Sequence, residues 1–222
     1  MASTPRGSAN DASANRLVAY LLEKGLGGAG PLSSADNLAE EYLIDQSYRD
    51  HDKRVDSLIH WETTKNFTTG FLTGLGGIVS LPAAIPSALG ASWLIQARMV
   101  GAIARIYGHS LSSDRVRTLV LVALAGDVAR DAMSDLGFKS GTRLTQRAMN
   151  QVPGRALVEV NKRIGIRLLS KAGQAGMVNF SKVIPLVGGV VGGTFDAVVC
   201  RKVGRTAKQL FRPIATGAAP EA

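Results

Sequence analysis

Residues 66–97 form a run of 32 positions without a formal charge, bounded by Lys65 and Arg98. That length exceeds the ~20 residues that a membrane-spanning helix needs. Pro82 and Pro86 argue against a single span, because each lacks a backbone N–H and disfavours helical geometry in the residue before it. The run therefore divides into an apolar helix over 66–81 and a second that begins near Pro86. At ~1.5 Å per residue the first reaches roughly 24 Å, short of a ~30 Å hydrocarbon core. The second meets Arg98 after only twelve positions. Neither half spans comfortably. The expectation is a Pro/Gly-rich apolar helical hairpin, either buried in a protein core or dipping into one leaflet.

Charge is divided unevenly around this run. Residues 1–65 carry 7 Lys/Arg and 10 Asp/Glu, whereas residues 66–222 carry 19 and 7, so the net charge of +9 arises entirely in the second part. A basic region beside an apolar one points to an anionic partner, and an acidic N-terminal arm suits packing against the basic part. An arginine-rich solvated surface is the plainer alternative. The single cysteine, Cys200, excludes an intramolecular disulfide framework. No apolar signal segment follows Met1, and Ala2 stands where myristoylation requires glycine. A cytoplasmic protein at the inner face of the plasma membrane is therefore expected.

Helical spacing dominates elsewhere, and no sustained alternation of period two is present, so the fold class reads as all-α. Residues 1–12 and 213–222 read as loose tails, 13–65 as a helical arm and 66–212 as the main helical domain. Within the arm, a short helix is expected over 15–24, and one long helix over 35–61 capped by Ser34. Its Ile44, Tyr48, Val55, Leu58 and Ile59 would share a face. The helix after Pro86 should end at Tyr107, with Gly108 supplying the left-handed residue. Leu89, Trp93, Gln96, Val100, Ile103 and Tyr107 would form one of its faces, and Arg98 and Arg105 another. Ser112 or Ser113 caps the next helix, which contains Val116, Leu119, Val120 and Ala123, and a further helix is expected over 142–152. After Pro153, residues 155–171 give an amphipathic helix. Leu157, Val160, Ile164 and Leu168 form its apolar stripe, and Arg155, Lys162, Arg163, Arg167 and Lys171 supply positive charge.

Several motifs invite functional readings. Gly70/Gly74, Gly188/Gly192 and Gly189/Gly193 have the GxxxG spacing that lets helices approach closely, in lipid or in a dense soluble bundle. These faces suggest that the segment after Pro185 packs on the 66–81 helix. Asp196, a lone carboxylate between Lys182 and Arg201, must be compensated if buried, and a structural ion pair explains it more simply than an active role. Gly25, Gly27 and Gly30 match GxGxxG but follow a helix rather than a strand, which removes the dinucleotide context. Ser110 in Gly108-His-Ser-Leu-Ser112 approaches a nucleophile elbow, yet a serine replaces the last glycine and no sheet is evident. His51, His60 and His109 have no standard ligand spacing, so no metal and no cofactor are expected. From Phe138 onwards, where most of the basic excess lies, the chain has four Phe and no Tyr or Trp, a poor composition for stacking single strands, so no nucleic-acid partner is expected.

Three segments together carry a family resemblance. They are Phe67-Thr-Thr-Gly-Phe-Leu-Thr-Gly-Leu-Gly-Gly-Ile-Val-Ser-Leu-Pro-Ala-Ala-Ile-Pro86, Gln96-Ala-Arg-Met-Val-Gly-Ala-Ile-Ala-Arg-Ile-Tyr-Gly108 and Lys182-Val-Ile-Pro-Leu-Val-Gly-Gly-Val-Val-Gly-Gly-Thr-Phe-Asp196. In this order, over residues 60–212, they resemble the EcsC protein family. The resemblance implies a link to a membrane assembly, since the founding member is encoded beside an ABC transporter, and it supplies no reaction or catalytic set. The expected function is a non-enzymatic protein that binds an anionic membrane surface or a membrane protein complex, with the five cations of 155–171 on headgroups. A soluble helical interaction module, or a hydrolase using Ser110 or Asp196, are the alternatives.

Overall fold

A computed structural model describes residues 5–67, 87–126, 129, 153–177 and 185–213. Among these residues the chain forms seven helices and no strand, as an all-α sequence should. They are α1 (Pro5–Gly27), α2 (Ala35–Ile44), α3 (His51–Phe67), α4 (Ser87–Ile106), α5 (Asp114–Ala125), α6 (Gly154–Met177) and α7 (Pro185–Phe211). The 66–81 helix, the 142–152 helix, Gly70, Gly74, Pro82 and Pro86 lie outside the described residues, apart from the last residues of α3.

The charge-poor sequence of α4 determines the layout. A helix apolar on all sides must be covered on all sides, and every residue of α4 from 90 to 104 is buried. Helices α1, α2, α3, α5 and α7 pack around it. Its end follows the expected form. Gly108 adopts φ +84°, its N–H donates to Arg105 O at 2.9 Å, and the N–H of His109 donates to Ala104 O at 3.0 Å. This reciprocal pair of bonds closes the last turn and satisfies its carbonyls. Helix α5 then begins after Ser113 and buries Val116, Leu119, Val120 and Ala123. In α6 the stripe Leu157, Val160, Ile164 and Leu168 is buried as expected.

Two expectations are corrected. The N-terminal tail is shorter, because α1 already starts at Pro5, a residue whose fixed φ suits the first helical position. Its Asp11 is tied to Lys162 at 2.6 Å. The single helix expected over 35–61 is two helices. Asp45 Oδ1 accepts from Ser47 N–H, and Asp50 Oδ1 accepts from Lys53 N–H, both at 2.8 Å, so one aspartate turns the chain out of α2 and the other caps α3. Arg54 donates to the carbonyls of Tyr42 and Asp45, which α2 leaves unpaired at its end. Ile44 is consequently 70% exposed and Tyr48 lies in the connector, so neither joins the expected stripe. Ser34 does cap α2, accepting from Asn37 N–H at 3.1 Å.

Arg98, expected on a different face from Leu89 and Trp93, is not left to solvent. It is buried in the core, opposite Glu62. The acidic arm does pack against the basic part: Asp11, Asp36, Asp52, Asp56 and Glu62 pair with Lys162, Arg105, Arg212, Lys208 and Arg98. Leu17, Leu21, Leu38 and Leu58 of the arm belong to the same apolar core as α4, α5, α6 and α7.

Candidate functional site

Helices α3, α4 and α7 form a unit whose register is fixed by named contacts. Asp56 meets Lys208, and a Cβ added at Gly204 would lie 2.8 Å from Ile59, so α3 and α7 are antiparallel and tightly spaced. Glu62 meets Arg98, and Asp52 meets Tyr107, which makes α3 and α4 antiparallel as well. Met99 touches Cys200, and His109 touches Phe211, so α4 and α7 run parallel. One end of the unit therefore collects the C-terminal end of α3 and the N-terminal halves of α4 and α7. The other end collects the opposite termini.

The two ends differ in chemistry. At the second end Asp52 is a hub. Tyr107 Oη–H donates to Asp52 Oδ1 at 2.6 Å, Arg212 pairs with its other oxygen, and Lys208 Nζ donates to Asp56 Oδ1 at 2.6 Å and to Asp52 O at 3.4 Å. Burial, and then the bond to Asp52, push the Tyr107 phenol well above its ordinary value. His109 Nε2–H donates to Phe211 O at 2.8 Å and clamps the end of α7 to the turn after α4.

Towards the first end the polar groups are few and enclosed. The Arg98 guanidinium donates to Glu62 Oε2 at 2.9 Å and to Ser33 Oγ at 3.0 Å, and the paired side chains are 6% and 0% exposed. Gln96 Nε2–H donates to Ser92 Oγ at 3.0 Å one turn away. Arg98 Nε and Thr63 Oγ1 are buried and lack a partner among the described residues. Burial, followed by the nearby Glu62 charge, pushes the Tyr42 phenol far above its ordinary value. This cluster joins α3, α4 and the loop before α2.

Beyond that cluster, formal charge nearly vanishes. The Ser33–Arg98 bond, and the approach of Gly25 to Ala97, place the charge-free stretch 25–35 against α4. The charge-free run 66–97 contains the end of α3 and the first part of α4, and α7 has one charge, Asp196, before Arg201. Two uncharged stretches, distant in sequence, thus share one end of the bundle, and 25–35 lies beside the middle of α4. Near the level where charge resumes, Trp61 of α3 is 51% exposed and Val198 of α7 67% exposed, and Arg201, Lys202 and Arg205 are exposed on α7. Sequence reasoning missed Trp61 and Val198. Their signal was an apolar residue out of phase with the buried stripe.

The residues singled out in the sequence are placed as follows. Arg155 and Lys171 are exposed at opposite parts of α6. Lys162 is engaged by Asp11, whose hydrogen bond holds the ammonium above its ordinary pKa, and Arg163 is engaged by Glu159 at 2.9 Å. Arg167 is half-buried. The five cations are therefore not equivalent. Gly188, Gly189, Gly192 and Gly193 lie within α7, but their surroundings and the Asp196 side chain fall outside what is described. Close helix approach is instead visible at Gly204 and Gly165; at Gly165 a Cβ would lie 2.8 Å from Ala14 O.

The enzyme-like motifs do not assemble. Ser110 Oγ lies 2.8 Å from Ser112 Oγ, while His109 Nε2 is committed to Phe211 O, and the turn joins helix to helix. A nucleophile elbow needs a strand before it. Gly28 and Gly30 lie in a tight turn closed by mutual hydrogen bonds between Ala29 and Leu32. Among the described residues no helix is long and apolar enough to cross a membrane.

An all-α bundle around one buried helix, with one end nearly stripped of charge, is the class that fold and site define. The EcsC protein family matches residues 34–213, and the chain belongs to that family. The match takes in α2 and α3, beyond the 60–212 read from motifs. No curated protein and no solved structure gives a significant match.

Proposed function

We propose that this protein is a non-enzymatic, peripheral membrane component that rests on an anionic lipid surface with the charge-poor end of the bundle turned towards it. The gathering of two uncharged stretches, 66–97 and the start of α7, at that end carries the reading. Water gains nothing by solvating such a surface, whereas the boundary between headgroups and acyl chains accepts it. A helix too short to span can still lie in that boundary. The net charge of +9 favours an anionic leaflet, which attracts each cation near the surface by about 1 kcal/mol. On this reading the protein works at the inner face of the plasma membrane, alone or against a membrane protein complex.

Co-sedimentation tests the reading, using vesicles of phosphatidylcholine alone and vesicles that also contain phosphatidylglycerol, at low and high salt. The expected result is pelleting that needs the anionic lipid and falls as salt rises, because screening shortens the reach of the charges. A protein that stays monodisperse in the supernatant under all four conditions overturns the reading, and a soluble interaction module becomes the better description.

A further inference from the structure

Resting on that reading, we infer that the headgroup contact is made by the outer face of α7, through Arg201 and Arg205 with Val198, and that the cations of α6 are not the principal anchor. The helix geometry sets these three residues apart. Arg201 and Arg205 are one turn apart on the exposed side of α7, and no carboxylate pairs with either among the described residues. Their neighbours Lys208 and Arg212 are neutralised by Asp56 and Asp52. Val198 stands three residues before Arg201, about 4.5 Å towards the charge-poor end, and is 67% exposed.

An exposed apolar residue below unpaired cations matches a bilayer surface, where acyl chains lie beneath phosphates. Guanidinium groups bind phosphate through two parallel N–H donors, and long side chains reach from an apolar level up to headgroups. Trp61 supports the same depth. The antiparallel register brings it level with the stretch of α7 that contains Arg201 and Arg205, and an exposed tryptophan is the side chain most suited to a membrane–water boundary. In α6, by contrast, Lys162 and Arg163 are engaged by Asp11 and Glu159. Arg155 and Lys171 stand sixteen positions apart on the same helix, about 24 Å.

The experiment compares wild type with two exposed-pair variants, Arg201→Gln/Arg205→Gln and Arg155→Gln/Lys171→Gln, on phosphatidylglycerol-containing vesicles at low salt. Circular dichroism and thermal unfolding serve as the check on folding. At about 1 kcal/mol per cation, removing both α7 arginines should weaken binding on the order of thirty-fold. The α6 variant should stay within about twofold of wild type. Wild-type Trp61 fluorescence should also shift to the blue on vesicles, because Trp93, the other tryptophan, is already buried. Equal losses in the two variants, or a larger loss in the α6 variant, overturn this inference and leave membrane binding itself intact. Failure of wild type to bind overturns the membrane reading instead.

Discussion

The two ends of the α3–α4–α7 unit use the same kinds of ion pair in opposite settings. At the Asp52 end the partners are long cations with one foot in solvent, and three polar side chains share two carboxylates. Near the charge-poor end a single arginine and a single glutamate face each other with almost no exposure. Exposed pairs gain little, because water screens them and ordering the side chains costs entropy. A buried pair is different in kind: its net gain is small, yet losing one partner strands a charge where water cannot reach it. The Asp52 end is thus tolerant and the charge-poor end brittle.

The sharpest way to break this comparison is Arg98→Ala. It leaves Glu62 buried without its guanidinium and should cost about 3–5 kcal/mol in denaturant unfolding. Replacing both partners, Arg98→Met with Glu62→Leu, should cost clearly less than the single change, since no charge is then stranded. A double variant as damaged as Arg98→Ala would mean that the loss came from packing and the bond to Ser33 rather than from the unpaired carboxylate.

A second change acts between the two ends. Gly204→Ala would put a Cβ 2.8 Å from Ile59, whose branched side chain has little freedom to yield, and should force α7 away from α3. Overpacking of this kind costs about 1–3 kcal/mol, and the better helix preference of alanine returns up to about 1 kcal/mol. Gly173→Ala in α6 is the control, because nothing lies within 4 Å of the added carbon; there the preference alone should stabilise by up to about 1 kcal/mol. A stabilised Gly204→Ala would show that the α3–α7 spacing is not tight, and that the two ends are less rigidly connected than the register indicates.

How much of this was legible in the sequence depended on the range of the signal. The Ser34 cap, the Gly108 terminus and the buried stripe of α6 rest on residues within a turn or two of each other, and the periodicity contains them. The break between α2 and α3 was also written locally, in Asp45 and Asp50, but continuous apolar spacing concealed two aspartates with capping geometry. The Glu62–Arg98 pair was not legible, because its members are 36 positions apart and an arginine in a helix is solvated by default. The charge-poor end was half legible. The runs 66–97 and 183–195 are plain in the sequence, while their meeting depends on the tertiary register of α3, α4 and α7.

The tolerant end can be tested by pH. Tyr107 has its phenol raised, chiefly by burial and then by its bond to Asp52, so its proton is held more tightly in the folded chain than in the unfolded one. The unfolded chain gives up that proton near the ordinary tyrosine value of about 10. Below that pH the stabilisation is fully present. Above it the unfolded state binds fewer protons than the native state, so stability falls as pH rises towards the folded value. Tyr107→Phe should therefore unfold about 1 kcal/mol more easily than wild type at pH 8, having lost one hydrogen bond to a carboxylate. Its stability should decline less steeply than that of wild type above about pH 10, so the two unfolding curves converge. Thermal unfolding from pH 8 to 11 measures both. Parallel curves across that range would mean that the Asp52 hub contributes through packing alone, and the two ends of the unit would then differ in burial but not in how they use charge.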